Sequence, residues 1–471
     1  MTRRRLTPDE PPHALRHPDA ARPPAPADTP PGARGWLWVA SAFAIYAIVA
    51  VFVVTQRAES TSDFRDYWRT AAHFRETGVI SDELGVHNYL PFFTIFMLPW
   101  SLLPLHVAIV GFTLLSLALF AVTVLMGEAL LCGGLRAGPR RATLIAVALI
   151  MPYVHSCAML GAVDLLLLFL VVATWFLVER GREWSAGLLL ALAALIKLLP
   201  ALLVVYFVLR GRWRVAAAAC GAGVALGAGL PLASVGYDET LRQHAAFYER
   251  AVAGHGAHES ITTDKPRKAK YTNNSLPIVL RGLLSPTDRN PNDPPTPLFV
   301  NVADVPRELI WRAYAAISAA LLIVSVIVVP RPGSRAAWAP GATRASFGAW
   351  CCLMVLLSPL LWTRYLLLAF WPLVLLAYAA DGRAQTARAE GDGGPPRATA
   401  ESGFLRWAVR GVLLYWLLAA IGLAWPAARA AGVTLGCALL AWAACVWLAL
   451  RARHYGARVA PARANNSATD G

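Results

Sequence analysis

Apolar residues in this chain fall into blocks of about 15 to 25, separated by short polar stretches. That length matches the roughly 20 helical residues needed to cross a hydrocarbon layer of about 30 Å. The first block runs from Trp36 to Val54. Others occupy 107–131, 142–159, 162–178, 185–209, 214–234, 307–330, 346–360, 363–380, 405–425 and 431–450. The pattern predicts an all-α polytopic membrane protein.

Arginines set the orientation of these blocks, because cytoplasmic loops retain Lys and Arg. Inside loops are marked by Arg136, Arg140 and Arg141, by Arg180 and Arg182, by Arg210, Arg212 and Arg214, by Arg331, Arg335 and Arg344, and by Arg383, Arg388 and Arg397. Arg451, Arg453, Arg458 and Arg463 follow the last block, so both termini are expected in the cytoplasm and the number of crossings is even. The clusters at 180–182 and 210–214 flank a single block that Lys197 and Pro200 interrupt. A single span cannot have both ends inside. The block therefore reads as two short helices, 185–197 and 199–209, turning at the outer face, which makes about 12 transmembrane helices. One long helix with one arginine cluster outside is the alternative. Tyr89 to Leu103 is short and punctuated by proline, and is expected to lie in the interface or to re-enter.

Composition supports this reading. Of 471 residues 57% are hydrophobic and 15% charged, against about 25% charged in soluble domains, and the mean hydropathy is +0.50. The excess of 43 Lys and Arg over 28 Asp and Glu, net +15, is that of retained inside loops, and nucleic acid is not an expected partner. Residues 1–35 hold nine prolines and six arginines without an apolar core, which predicts a disordered cytoplasmic tail and no signal peptide. Residues 36–450 form the membrane domain, and 451–471 a second cytoplasmic tail. The seven cysteines have no paired or metal-ligand spacing and read as small core residues.

The topology leaves two long segments outside, 55–106 and 235–306, and polar chemistry gathers on their face. Asp63 and Asp66 follow the first span, where a partly desolvated carboxylate can act as a general base or stay a solvated loop acid. Lys197 lies in an apolar run, LAALIKLLPALL, where an ammonium needs a partner such as a lipid-linked phosphate, or snorkels to a headgroup. Asp164 could pair with Lys197 or cap the helix it opens, the cap being the favoured reading. Asn273, Asn274 and Ser275 can bond sugar hydroxyls or cap the following helix. Arg364, between Trp362 and Tyr365, is an outward arginine suited to phosphate, carboxylate or a lipid headgroup.

These motifs, in this order, resemble the polyprenyl-phosphate-dependent glycosyltransferases of family 87, with GT-C architecture. Asp63, Phe64 and Tyr67 are similar to an Asp-Phe-x-x-Tyr segment. Tyr89, Pro91, Phe92, Phe93, Leu103 and Pro104 resemble a Tyr-Pro-Pro-Phe run ending in Leu-Pro, with Leu90 replacing a proline. Ile196, Lys197, Leu198 and Pro200 resemble an Ile-Lys-x-x-Pro segment, Asn273 to Leu276 an Asn-Gln-Ser-Leu segment, and Ser358, Pro359 and Trp362 a Ser-Pro-x-x-Trp segment. Two positions depart: Asp164 stands where the family has Asn, and Arg364 where a histidine follows the Trp by two. An arginine cannot be a general base at neutral pH.

The resemblance implies a GT-C-like bundle that moves a hexose, mannose in particular, from a polyprenyl-phosphate-linked donor to a lipid or glycan acceptor at the outer face of the cell membrane. Asp63, or Asp66 in its place, would be the base, and Lys197 and Arg364 would hold the departing phosphate. Tyr67, Tyr89, Asn273, Asn274, Ser275, Trp362 and Tyr365 would contact sugar or carrier. The leaving phosphate is already charged and no acidic cluster stands out, so neither metal nor cofactor is expected. A transporter or flippase of a lipid-linked substrate is the competing class; no internal repeat supports it. A catalytically inactive family member is the third.

Overall fold

The computed structural model describes residues 33–56, 63–80, 89–132, 140–253, 256–263, 269–291, 296–333, 340–381 and 400–466. The described residues are almost wholly helical and contain no strand, only one isolated bridge between Asn273 and Trp362. The helices are α1 (Ala33–Gln56), α2 (Asp63–Thr77), α3 (Pro91–Ser101), α4 (Leu105–Cys132), α5 (Arg141–Leu160), α6 (Asp164–Glu179), α7 (Glu183–Ile196), α8 (Leu202–Leu209), α9 (Trp213–Val224), α10 (Leu230–Val235), α11 (Tyr237–Phe247), α12 (Ala257–Thr262), α13 (Leu276–Leu284), α14 (Arg307–Ile327), α15 (Pro340–Leu356), α16 (Phe370–Ala380), α17 (Ala400–Gly422), α18 (Pro426–Ala430) and α19 (Val433–Asn466). The last helix runs past 450, so much of the expected C-terminal tail extends it. The N-terminal tail to residue 32 and the arginines at 136, 335, 383, 388 and 397 lie outside the described residues.

Seven helices among the described residues are long and apolar enough to cross a membrane. The chain is a multi-pass membrane protein. Other expected crossings are shorter, with 16 residues in α6 and 17 in α15, reaching about 24–26 Å at 1.5 Å per residue. Both are buried nearly all round, and α15 packs against α14, α16 and α19 at the centre of the bundle. Tryptophans bury large rings here and give their indole N–H to backbone carbonyls, Trp350 to Ser325 at 3.0 Å and Trp416 to Cys437 at 3.1 Å, as membrane interiors require. Cys157, Cys351, Cys352, Cys437 and Cys445 are buried free thiols, and Cys220 is exposed.

The chain turns back at Lys197, as the arginine pattern requires. Arg212, after α8, pairs with Glu183, at the start of α7, at 2.7 Å. Both arginine clusters therefore sit at one end of the bundle. Arg210 reaches Thr343, which opens α15, at that same end. α9 then runs beside α7, and this contact is close because both faces carry small residues. A Cβ added at Gly187 would lie 2.4 Å from the Ala218 Cβ and 2.5 Å from the Val215 carbonyl oxygen.

At the opposite end, α2 and α3 form a small layer over the bundle. α2 buries Phe64, Tyr67, Ala71 and Phe74, the three-and-four spacing of one helical face. α3 has only 11 residues with Pro99 inside, too short to span. The described residues between 256 and 306 fold around two buried arginines. Arg281 donates to the carbonyls of Ser260, Ile261 and Thr263, and Arg289 to those of Ala269, Asn273, Ile278 and Ala430.

Gly187→Ala is expected to cost about 1–3 kcal/mol by overpacking the α7–α9 contact. Thermal unfolding in detergent, followed by loss of monodisperse protein, checks it against the wild type.

Candidate functional site

The site begins at a glycine. α5 ends at Gly161 with φ +59°, a left-handed conformation that side chains disfavour. A Cβ there would lie 2.6 Å from the Phe64 Cβ. The bare backbone lets the start of α2 dock onto the α5–α6 turn, and Phe64 is fixed by the rings of Trp100 and Phe112. The residue before Phe64 and the first residue of α6 are thereby brought together: Asp63 and Asp164.

α7 stops at Ile196, and Lys197 takes an extended conformation (φ −145°, ψ 136°). Pro200 opposes helix continuation, and a single 3₁₀ turn at Leu199–Ala201 leads into α8. The break aims the ammonium inward, with Nζ 2.5 Å from Asp164 Oδ1 and 4.1 Å from the centroid of the Tyr365 ring. After Pro359 the chain re-enters through a 3₁₀ segment, Thr363–Ala369. There Arg364 places Nε 3.0 Å from Asp164 Oδ2 and Nη2 2.8 Å from Asp63 Oδ2. Asp164 is thus gripped by two cations, one on each oxygen, and Arg364 bridges two carboxylates. The N-cap position of α6 is Val163, not Asp164; Asp164, one residue into the helix, gives its two oxygens to the ion network instead of a cap, and those partners offer full charges to a desolvated carboxylate.

The four groups balance in charge; Asp63, Lys197 and Arg364 border a cavity of about 610 Å³, and Asp164 lies buried behind them. Asp66, Tyr67, Tyr89, Trp362 and Tyr365 line it too, with an apolar wall that includes Leu160, Leu198, Leu199, Phe247, Ala251 and Val252. The Tyr67 and Tyr89 hydroxyls hydrogen-bond at 2.7 Å, and burial holds the Tyr67 hydroxyl well above its ordinary pKa. Burial also raises the Asp63 carboxyl above the ordinary aspartate value; the Arg364 charge opposes this and the Asp164 charge adds to it. Asp66 is more exposed, with Arg65 at 3.6 Å.

Asn273, Asn274 and Ser275 are not brought to the cavity. All three are buried. Asn273 Oδ1 accepts from the amides of Ser275 at 3.1 Å and Leu361 at 3.0 Å, and the Asn274 amide donates to the Leu361 carbonyl at 2.8 Å. This triplet stitches its loop to the one presenting Trp362 and Arg364. The Asn273 carbonyl in turn accepts from Arg289 at 2.8 Å. The sequence reading missed the two buried arginines, which look like ordinary loop charges, and the apolar wall, which looks like core. Only the shared outer-face position of 235–306 pointed to Phe247, Ala251 and Val252.

A model of glycosyltransferase family 87 matches residues 87–359. Two solved structures are similar to the chain. ArnT from Cupriavidus metallidurans in the apo state shares 16% identity over 88% of this chain and 77% of that chain, with a TM-score of 0.37. The same protein bound to undecaprenyl phosphate shares 15% identity over 91% and 80%, also at 0.37. No curated protein matches.

Asp164→Asn is expected to lower stability by about 3–5 kcal/mol, because it leaves buried cations short of a partner. Chemical denaturation in detergent measures the loss, and Asp66→Asn, at an exposed pair, is expected to change stability by less than about 1 kcal/mol.

Proposed function

Because this chain belongs to glycosyltransferase family 87, we propose that it transfers a hexose, mannose in particular, from a polyprenyl-phosphate donor to a hydroxyl of a lipid or glycan acceptor. The observation that carries this reading is one cavity bordered by a half-buried carboxylate, Asp63, and by two cations, Lys197 and Arg364, the second in contact with it. Sugar transfer from a phosphodiester needs both: a base where the acceptor loses a proton, and positive charge where the phosphate leaves.

Asp63 takes the proton as the acceptor oxygen bonds to the anomeric carbon. The bond from that carbon to the phosphate oxygen breaks, and polyprenyl phosphate departs with the electron pair. Lys197 and Arg364 hold it, exchanging part of their contact with Asp164 and Asp63 for the phosphate oxygens. Asp63 is favoured over Asp66 because it is the more buried and stands at the cations. Tyr67, Tyr89, Trp362 and Tyr365 offer ring faces and hydroxyls to the sugar. Asn273, Asn274 and Ser275 act at one remove, by fixing the loop of Trp362. Arg210 and Arg212 lie at the end of the bundle away from the cavity, which, with the positive-inside tendency, supports cytoplasmic termini and a cavity at the outer face.

The test is transfer of radiolabelled mannose from polyprenyl-phosphate-mannose to membrane-extract acceptors by purified protein in vesicles. Asp63→Asn is expected to lower kcat at least about 100-fold, and Asp66→Asn less than tenfold; the reverse ranking would move the base to Asp66. The acid limb of kcat/KM is expected above the ordinary aspartate pKa of about 3.9, since Asp63 must lose its proton to act. Arg364 lowers that pKa, so Arg364→Gln is expected to move the limb to higher pH in whatever activity remains.

A further inference from the structure

α11 and the turn that continues it, Tyr248–Ala253, follow directly on the apolar span Trp213–Val235, with a bend at Gly236. The segment therefore starts at the membrane boundary. Within α11, at about 100° per residue, Tyr237, Leu241 and Ala245 fall within an arc of about 80°, which Tyr248 at the helix end continues; Val252 follows in the π turn Tyr248–Ala253. These side chains are aromatic or aliphatic and exposed: Tyr237 is 69% exposed, Leu241 58%, Tyr248 61% and Val252 39%.

The other two sides differ. Asp238, Arg242 and Glu249 are exposed on the adjoining arc. The third arc faces the protein, where Gln243 Nε2 donates to the Ile80 carbonyl at 2.8 Å and His244 Nε2 lies 3.1 Å from the Gly227 carbonyl oxygen inside the span. These bonds fix the roll of the helix. Phe247 and Ala251 on that third side, and Val252 at the edge of the apolar arc, wall the cavity that holds Lys197.

One side bound to protein, one charged and one apolar is the pattern of a helix lying in a bilayer interface. We propose that α11 lies in the interfacial layer of the bilayer with the Tyr237–Leu241–Tyr248–Val252 stripe against lipid acyl chains, so that the cavity opens sideways into the membrane. A prenyl-linked donor then reaches Lys197 from within the lipid, its chain passing the Tyr248–Val252 edge. The sideways opening for a donor rests on the sugar-transfer reading; the placement of α11 does not.

Spin labels test the placement without turnover. Leu241→Cys and Tyr248→Cys, against Arg242→Cys and Glu249→Cys, are labelled in the Cys220→Ser background and reconstituted in phosphatidylcholine nanodiscs, the unsubstituted background reporting residual labelling. Labels at 241 and 248 are expected to collide preferentially with oxygen, and those at 242 and 249 with a water-soluble nickel chelate. Equal nickel accessibility at all four would overturn the placement. For the opening, Leu241→Asp with Tyr248→Asp is expected to raise KM about tenfold for a long-chain donor and to leave kcat and KM for a short-chain, water-soluble donor unchanged. An unchanged long-chain KM would overturn it. Protein that transfers no sugar from either donor contradicts the transfer reading, while the accessibility contrast still judges α11.

Discussion

Asp164 accepts an ammonium on one oxygen at 2.5 Å and a guanidinium on the other at 3.0 Å, at the buried head of α6. Separating those charges from water is costly, and only close, well-aimed pairing offsets it. The rest of the site is arranged around that requirement. The helix break at Lys197, the Gly161 turn and the 3₁₀ entrance of Arg364 each deliver one member of the network. Arg364 then passes the constraint to Asp63 at 2.8 Å, which ties the start of α2 to the bundle core.

A pair of cations already satisfied by carboxylates is a fitting phosphate site for an enzyme that must release its product. Bare cations would hold a phosphate too tightly. On the proposed reading an incoming phosphodiester would compete with Asp164 and Asp63, so the net gain on binding would be moderate and resident carboxylates would replace the departing phosphate. The same exchange would free Asp63 from part of the Arg364 charge that lowers its pKa, which suits the base role proposed for it.

Much of this was legible in the sequence, for physical reasons that can be named. Apolar block length reports bilayer thickness, so the helical membrane bundle was readable. Two arginine clusters around one block required a turn, and the Arg212–Glu183 pair is that turn's consequence. Lys197 and Arg364 stood out because charge in apolar surroundings needs a partner. The partner itself was harder to read: Asp164 is 33 residues from Lys197 and 200 from Arg364, and nothing local distinguishes an ion-paired helix-opening aspartate from a cap. The Asn273–Ser275 triplet carries groups equally suited to sugars and to backbone amides, and the fold used them on Leu361. Arg281 and Arg289 were invisible as core because carbonyl oxygens, which every sequence has, are what satisfy them.

On the proposed reading, Lys197 and Arg364 together receive a lipid-linked phosphate in the cavity. Binding of polyprenyl phosphate to purified protein in nanodiscs, by native mass spectrometry over a concentration series, measures it without catalysis. Wild type is expected to bind saturably, and Lys197→Met with Asp164→Asn, which removes both charges of one pair and keeps the site neutral, to weaken binding at least about tenfold, about 1.4 kcal/mol. Equal affinity in that folded double variant would contradict the claim.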